Sequence, residues 1–73
     1  MSTITAGSWT RAAALGDAVV DMAMRLAEAE RKGAYNWQDE TERARWSRAA
    51  QRRLRALIRL TGALRDMPFK EEQ

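Results

Sequence analysis

The sequence predicts an all-α protein: a two-helix antiparallel hairpin that dimerises into a four-helix bundle. Three observations lead there. Apolar residues recur at helical spacing through two long stretches. One Pro and four Gly leave those stretches almost free of breakers, and Ala, Leu, Arg, Glu and Met are strong helix formers. Between the stretches lies a link of only about four residues, Gly33 to Asn36, which makes the two helices antiparallel neighbours.

Residues 1–7 are small, polar and aperiodic and are expected to form a loose arm. Ser8 suits an N-cap, with Trp9 in the first turn and the first helix running to about residue 32. Ala12, Leu15, Val19, Met22, Leu26 and Ala29 then follow at spacings of 3, 4, 3, 4 and 3, a seam of about three heptads. Gly16 and Ala23 flank it and allow close approach. A second apolar strip, Ala13, Val20, Met24 and Ala27, lies beside it, so this helix is apolar over more than one partner helix can cover. Met22 and Met24 read as core filler. On the polar face Asp21–Arg25 and Glu28–Lys32 stand at i,i+4 in the favourable acid-first order.

Gly33 suits the left-handed residue that ends a helix, and Asn36 suits the N-cap of the next. Asp39, Glu40 and Glu42 fall at the positive end of the second helix dipole. That helix is expected over about residues 37–66, stopped by Pro68, with residues 69–73 frayed. Its expected apolar face is Trp46, Ala50, Leu54, Leu57, Ile58, Thr61 and Leu64, flanked by Leu60 and Met67. Folding about residue 35 would set Trp46 opposite Met24 and Trp9 near Thr61 to Leu64, in the core or at a dimer contact.

Composition narrows the chemistry. With 73 residues, no Cys and no His, the chain has no disulfide, no thiolate nucleophile, and neither the commonest zinc ligand nor the commonest general base. A core this small usually needs a staple, and oligomerisation is the one remaining. No phosphate loop, nucleophile elbow or paired catalytic acid occurs. The expectation is a protein that is not an enzyme and uses no cofactor and no metal. Residues 1–10 lack the basic and apolar regions of a signal peptide, and no apolar run approaches the roughly 18 residues of a membrane span. A cytoplasmic location without membrane attachment is expected.

Two patterns could carry function. Arg45, Arg48, Arg52, Arg55 and Arg59 recur at 3, 4, 3 and 4, one basic stripe opposite the expected apolar face. Such a stripe could meet nucleic-acid phosphates or an acidic protein, since the guanidinium fork pairs with either. It also fits a solvated face in an Arg-biased genome, given eleven Arg against two Lys. The second pattern is aromatic. Tyr35 and Trp37 bracket Asn36, with Trp46 two to three turns on, and Tyr and Trp are the usual anchors of binding hot spots. Trp37 and Trp46 fall on different faces, so at least one of them should be exposed. Tyr35, Trp37, Glu40, Glu42, Arg43, Arg45 and Trp46 together make a candidate partner-binding tip, with another protein as the expected partner and nucleic acid as the alternative.

A free-standing hairpin with an aromatic, charged tip and no catalytic groups resembles the small accessory proteins of temperate bacteriophages that block host regulators or defence complexes. Tyr35 near the turn and Trp46 early in the second helix are similar to residues of a dimeric two-helix anti-activator of quorum sensing. The resemblance implies inhibition by occupying a partner's surface.

Overall fold

The computed structural model describes residues 6–67, with side chains from Trp9 onward. Two helices, α1 (Ala6–Tyr35) and α2 (Glu40–Arg65), pack side by side as an antiparallel hairpin measuring 59 × 14 × 12 Å. Among the described residues there is no strand, and no helix is long and apolar enough to cross a membrane. The expectations for residues 1–5 and for Pro68 and the tail lie outside the described residues.

Both helices differ from expectation at their ends. α1 begins at Ala6, so Ser8 lies inside it rather than capping it. Ala6 has the highest helix propensity, and no proline interrupts the approach. At the other end α1 runs through Gly33 to Tyr35, and Gly33 keeps a right-handed backbone, as every described glycine does. A Cβ there would lie 3.6 Å from Trp46 Cβ, an ordinary contact distance, so α2 packs on α1 at this point and the packing does not require glycine. Asn36 closes α1 instead of opening α2. Its backbone N–H and its Nδ2 both donate to the Lys32 carbonyl, at 3.1 and 2.7 Å. This occupies one of the carbonyls a helix end leaves without a partner.

The N-cap of α2 is Asp39, whose Oδ1 accepts from the Glu42 N–H at 3.1 Å. Asn36 and Asp39 both suit a cap and each has an acidic residue three positions later, but only Asp39 has a Glu there, Glu42, the residue type of a capping box, whereas Asn36 has the shorter Asp39. The turn thus occupies 36–39 rather than 33–36, and the pairing shifts with it. Trp46 lies opposite Gly33, not Met24, and Arg53 lies opposite Arg25 and Glu28. The same register carries Trp9 past the end of α2, where it is exposed rather than packed against Thr61 to Leu64.

The α1 seam forms as its spacing predicts: Ala12, Leu15, Val19, Met22 and Leu26 are half-buried and Ala29 is buried. α2 is rotated from expectation. Its inward line is Trp46, Ala49, Arg53, Ala56, Leu60 and Leu64, with Ala50 and Leu57 beside it, while Leu54, Ile58 and Thr61 are exposed. At 100° per residue the face has turned by about 60°. The physical cause is small-residue packing. Ala29 and Ala49 are the only buried residues described, and the register set by Gly33 with Trp46 and Arg25 with Arg53 places them at the same level of the two helices. The Thr61 hydroxyl bonds back to the Leu57 and Ile58 carbonyls and needs no interhelical partner.

One charged side chain stands in the seam. Arg53 is 27% exposed, and its Nη1 donates to the Arg25 carbonyl at 2.7 Å and lies 3.4 Å from Glu28 Oε1. Removing that charged hydrogen bond by Arg53→Ala should lower stability by about 1–2 kcal/mol, while Arg53→Met, which keeps the apolar stem, should lose less. Chemical denaturation of both variants checks the ordering. Gly62 is helical and a Cβ there would meet nothing within 4 Å. Gly62→Ala should therefore raise stability by up to about 1 kcal/mol, read in the same titration.

Candidate functional site

The seven tip residues of the sequence analysis fall into two groups. Tyr35, the last residue of α1 rather than a turn residue, and Trp37, in the turn, are free of the seam, at 81% and 59% exposed. Glu40, the first residue of α2, is exposed as well. The other four build the support beneath them. Arg43 Nη1 donates to the Trp37 carbonyl at 2.8 Å, which ties the turn back onto α2. Asp39 N–H donates to the Asn36 carbonyl at 2.9 Å and completes the turn. Glu42 is half-buried and pairs with Arg45 at 3.5 Å.

Trp46 is half-buried between the helices rather than displayed. Its ring lies under two cations, Lys32 Nζ at 4.8 Å and the Arg45 guanidinium at 5.2 Å from the ring centre. Each stack contributes roughly 0.5–1 kcal/mol at such partly exposed sites. Lys32 is a supporting residue that sequence reading passed over; the shift of the turn is what brings it to Trp46. Beside the indole lies an open groove of about 380 Å³, lined by Ala29, Glu30, Gly33, Arg43, Trp46, Ser47 and Ala50.

The five stripe arginines, Arg45, Arg48, Arg52, Arg55 and Arg59, are all exposed. Arg45 has its pair with Glu42, whereas Arg48, Arg52, Arg55 and Arg59 make no ion pair with a described residue. Helical geometry spreads the stripe over about 21 Å along α2. Asp21, Arg25, Glu28 and Lys32 of α1 lie on the same broad side of the hairpin, and the Arg25–Asp21 pair closes at 3.2 Å. Arg53 does not belong to the stripe. Its place in the seam could have been found from the 3–4 spacing of Trp46, Ala49, Arg53 and Ala56, had the alanines been weighed above Leu54 and Ile58.

Among the described residues no group of three or more acidic side chains is arranged to hold a metal ion. Compared with known proteins, the chain matches no protein-family profile, no curated protein and no solved structure.

The tip's rigidity rests on its cap and its tie. Asp39→Ala should cost about 0.5–2 kcal/mol, as loss of an N-cap does. Arg43→Ala should cost less in global stability but speed amide hydrogen exchange at Trp37 to Asp39. Exchange measured by NMR on the two variants separates these outcomes.

Proposed function

We propose that the hairpin is a non-enzymatic protein-binding module that inhibits or modulates a partner complex by occupying its surface with the tip. The observation that supports this most is the pair of exposed aromatics, Tyr35 and Trp37, on a turn fixed by Asp39, Asn36 and Arg43. Exposed aromatic rings on a preorganised backbone lose little entropy on docking, which is what concentrates binding energy in a few residues. Glu40 and the Glu42–Arg45 pair at the rim would set register by charge. The partner, in keeping with the temperate-phage accessory class that the sequence resembles, is a host or bacterial protein complex.

The test is capture from a lysate of the native host with tagged chain, repeated with the Tyr35→Ala/Trp37→Ala double variant. One stoichiometric protein should be captured by the parent chain and lost with the variant, whose circular dichroism should stay that of the parent. Undiminished capture by the variant would move binding away from the tip.

A specific observation favours a second function, nucleic-acid binding. Four stripe arginines without an ion-pair partner among the described residues present their guanidinium groups to solvent on one side. If five arginines each neutralise a phosphate, affinity should fall by roughly 10²–10³-fold between about 50 and 200 mM salt, through counterion release. Capture that is lost on nuclease treatment and follows that salt slope would favour the stripe over the tip.

A further inference from the structure

The two broad sides of the hairpin are chemically opposite. Two antiparallel right-handed helices turn their residues toward the same side in the same rotational order, so the register fixes which residues share a side. The stripe arginines go to one side. To the other go Val20 and Met24 of α1 with Leu54 and Ile58 of α2, all four exposed, Met24 and Ile58 at 67% and 60%. Since Arg53 lies opposite Arg25 and Glu28, Val20 to Met24 stand level with 55–59, and the four apolar side chains form one cluster. The cluster sits near the middle of both helices, Ala6–Tyr35 and Glu40–Arg65.

We infer that this side is the interface with a second copy of the chain, packed antiparallel across a two-fold axis that passes through the middle of the rod. Three observations select a second copy. The first is area: the chain exposes 5604 Å², roughly 1,000 Å² more than the about 4,600 Å² expected of a compact monomer of 8.3 kDa. Covering that excess on two copies amounts to about 2,000 Å², the upper end of a standard stable interface. The second is symmetry. A patch at the middle of the rod meets itself when the rod is rotated about its midpoint, the self-complementarity that a two-fold contact requires. The third is charge. The stripe arginines face away, so no like-charged stripes are brought together. None of this rests on the function of the tip, which the arrangement leaves free at both ends.

Sedimentation equilibrium of the full chain tests the inference. The expected mass is twice 8.3 kDa. Ile58→Asp should weaken the dimer by at least about 100-fold, because each copy would carry a carboxylate into the apolar centre. It leaves the hairpin seam untouched, so its helicity at high concentration should match that of the parent. Arg52→Asp, on the opposite side, should leave the dimer mass unchanged. A monomer at all concentrations, a larger assembly, or a dimer indifferent to Ile58→Asp would overturn the interface.

Discussion

The burial of Ala29 and Ala49 at one level of the seam sets the geometry on which the other features depend. Two methyl groups at the buried point of the seam let the backbones approach, and the larger side chains then flank the contact instead of filling it. Trp46 lies over the glycine at 33, Lys32 and Arg45 close over the indole, and the turn leaves the helices where Asn36 and Asp39 can cap both ends. The same contact turns Leu54 and Ile58 out of the seam. A tighter hairpin is obtained, and the apolar residues it displaces collect with Val20 and Met24 on one side.

A seam of alanine and leucine has few features that forbid sliding by a heptad. Polar groups at single positions commonly supply that specificity, at little gain in stability. Arg53 fits this role, because its bond to the Arg25 carbonyl exists in one register only. At the tip the N-cap, the Asn36 amide and the Arg43 tie make the turn equally specific. Register is thus fixed at mid-helix and at the turn by hydrogen bonds, while burial along the seam holds the helices together.

How much of this was legible in the sequence depended on residue size. The α1 seam was fully legible, because large apolar residues at 3–4 spacing leave one choice of face. The α2 face was not. Leu54, Ile58 and Thr61 outweigh Ala49 and Ala56 on any hydrophobic count, yet the small residues give the closer contact. Gly33 misled in another way: a glycine near a helix end reads as a turn residue, and here the helix runs through it to Tyr35. Asn36 and Asp39 offered caps three residues apart, and choosing the first displaced the turn and therefore every cross-helix pair, Trp46 among them. Within the candidate site, the exposure of Tyr35 and Trp37 followed from their position in the sequence. The supporting contacts of Lys32 and Arg43 did not, since both depend on where the turn falls.

The hairpin keeps its surfaces apart. The tip aromatics are at one end, the apolar cluster is at the middle of one side, and the stripe arginines run along the other. The tip lies about 15 residues of helix from the cluster, on the order of 20 Å at 1.5 Å per residue. Substitutions separated by more than about 7–10 Å with no shared partner act independently. Tip, apolar side and basic side can therefore carry separate roles, and a change on one should leave the others as they were. Trp46 is the exception. It packs in the seam, lines the groove and anchors two cations near the tip, so its loss would loosen the helix pairing and the tip together. A defect in partner binding from a Trp46 variant would for that reason say little about the tip surface, whereas the same defect from Tyr35 and Trp37, which are mostly exposed, would be specific to it.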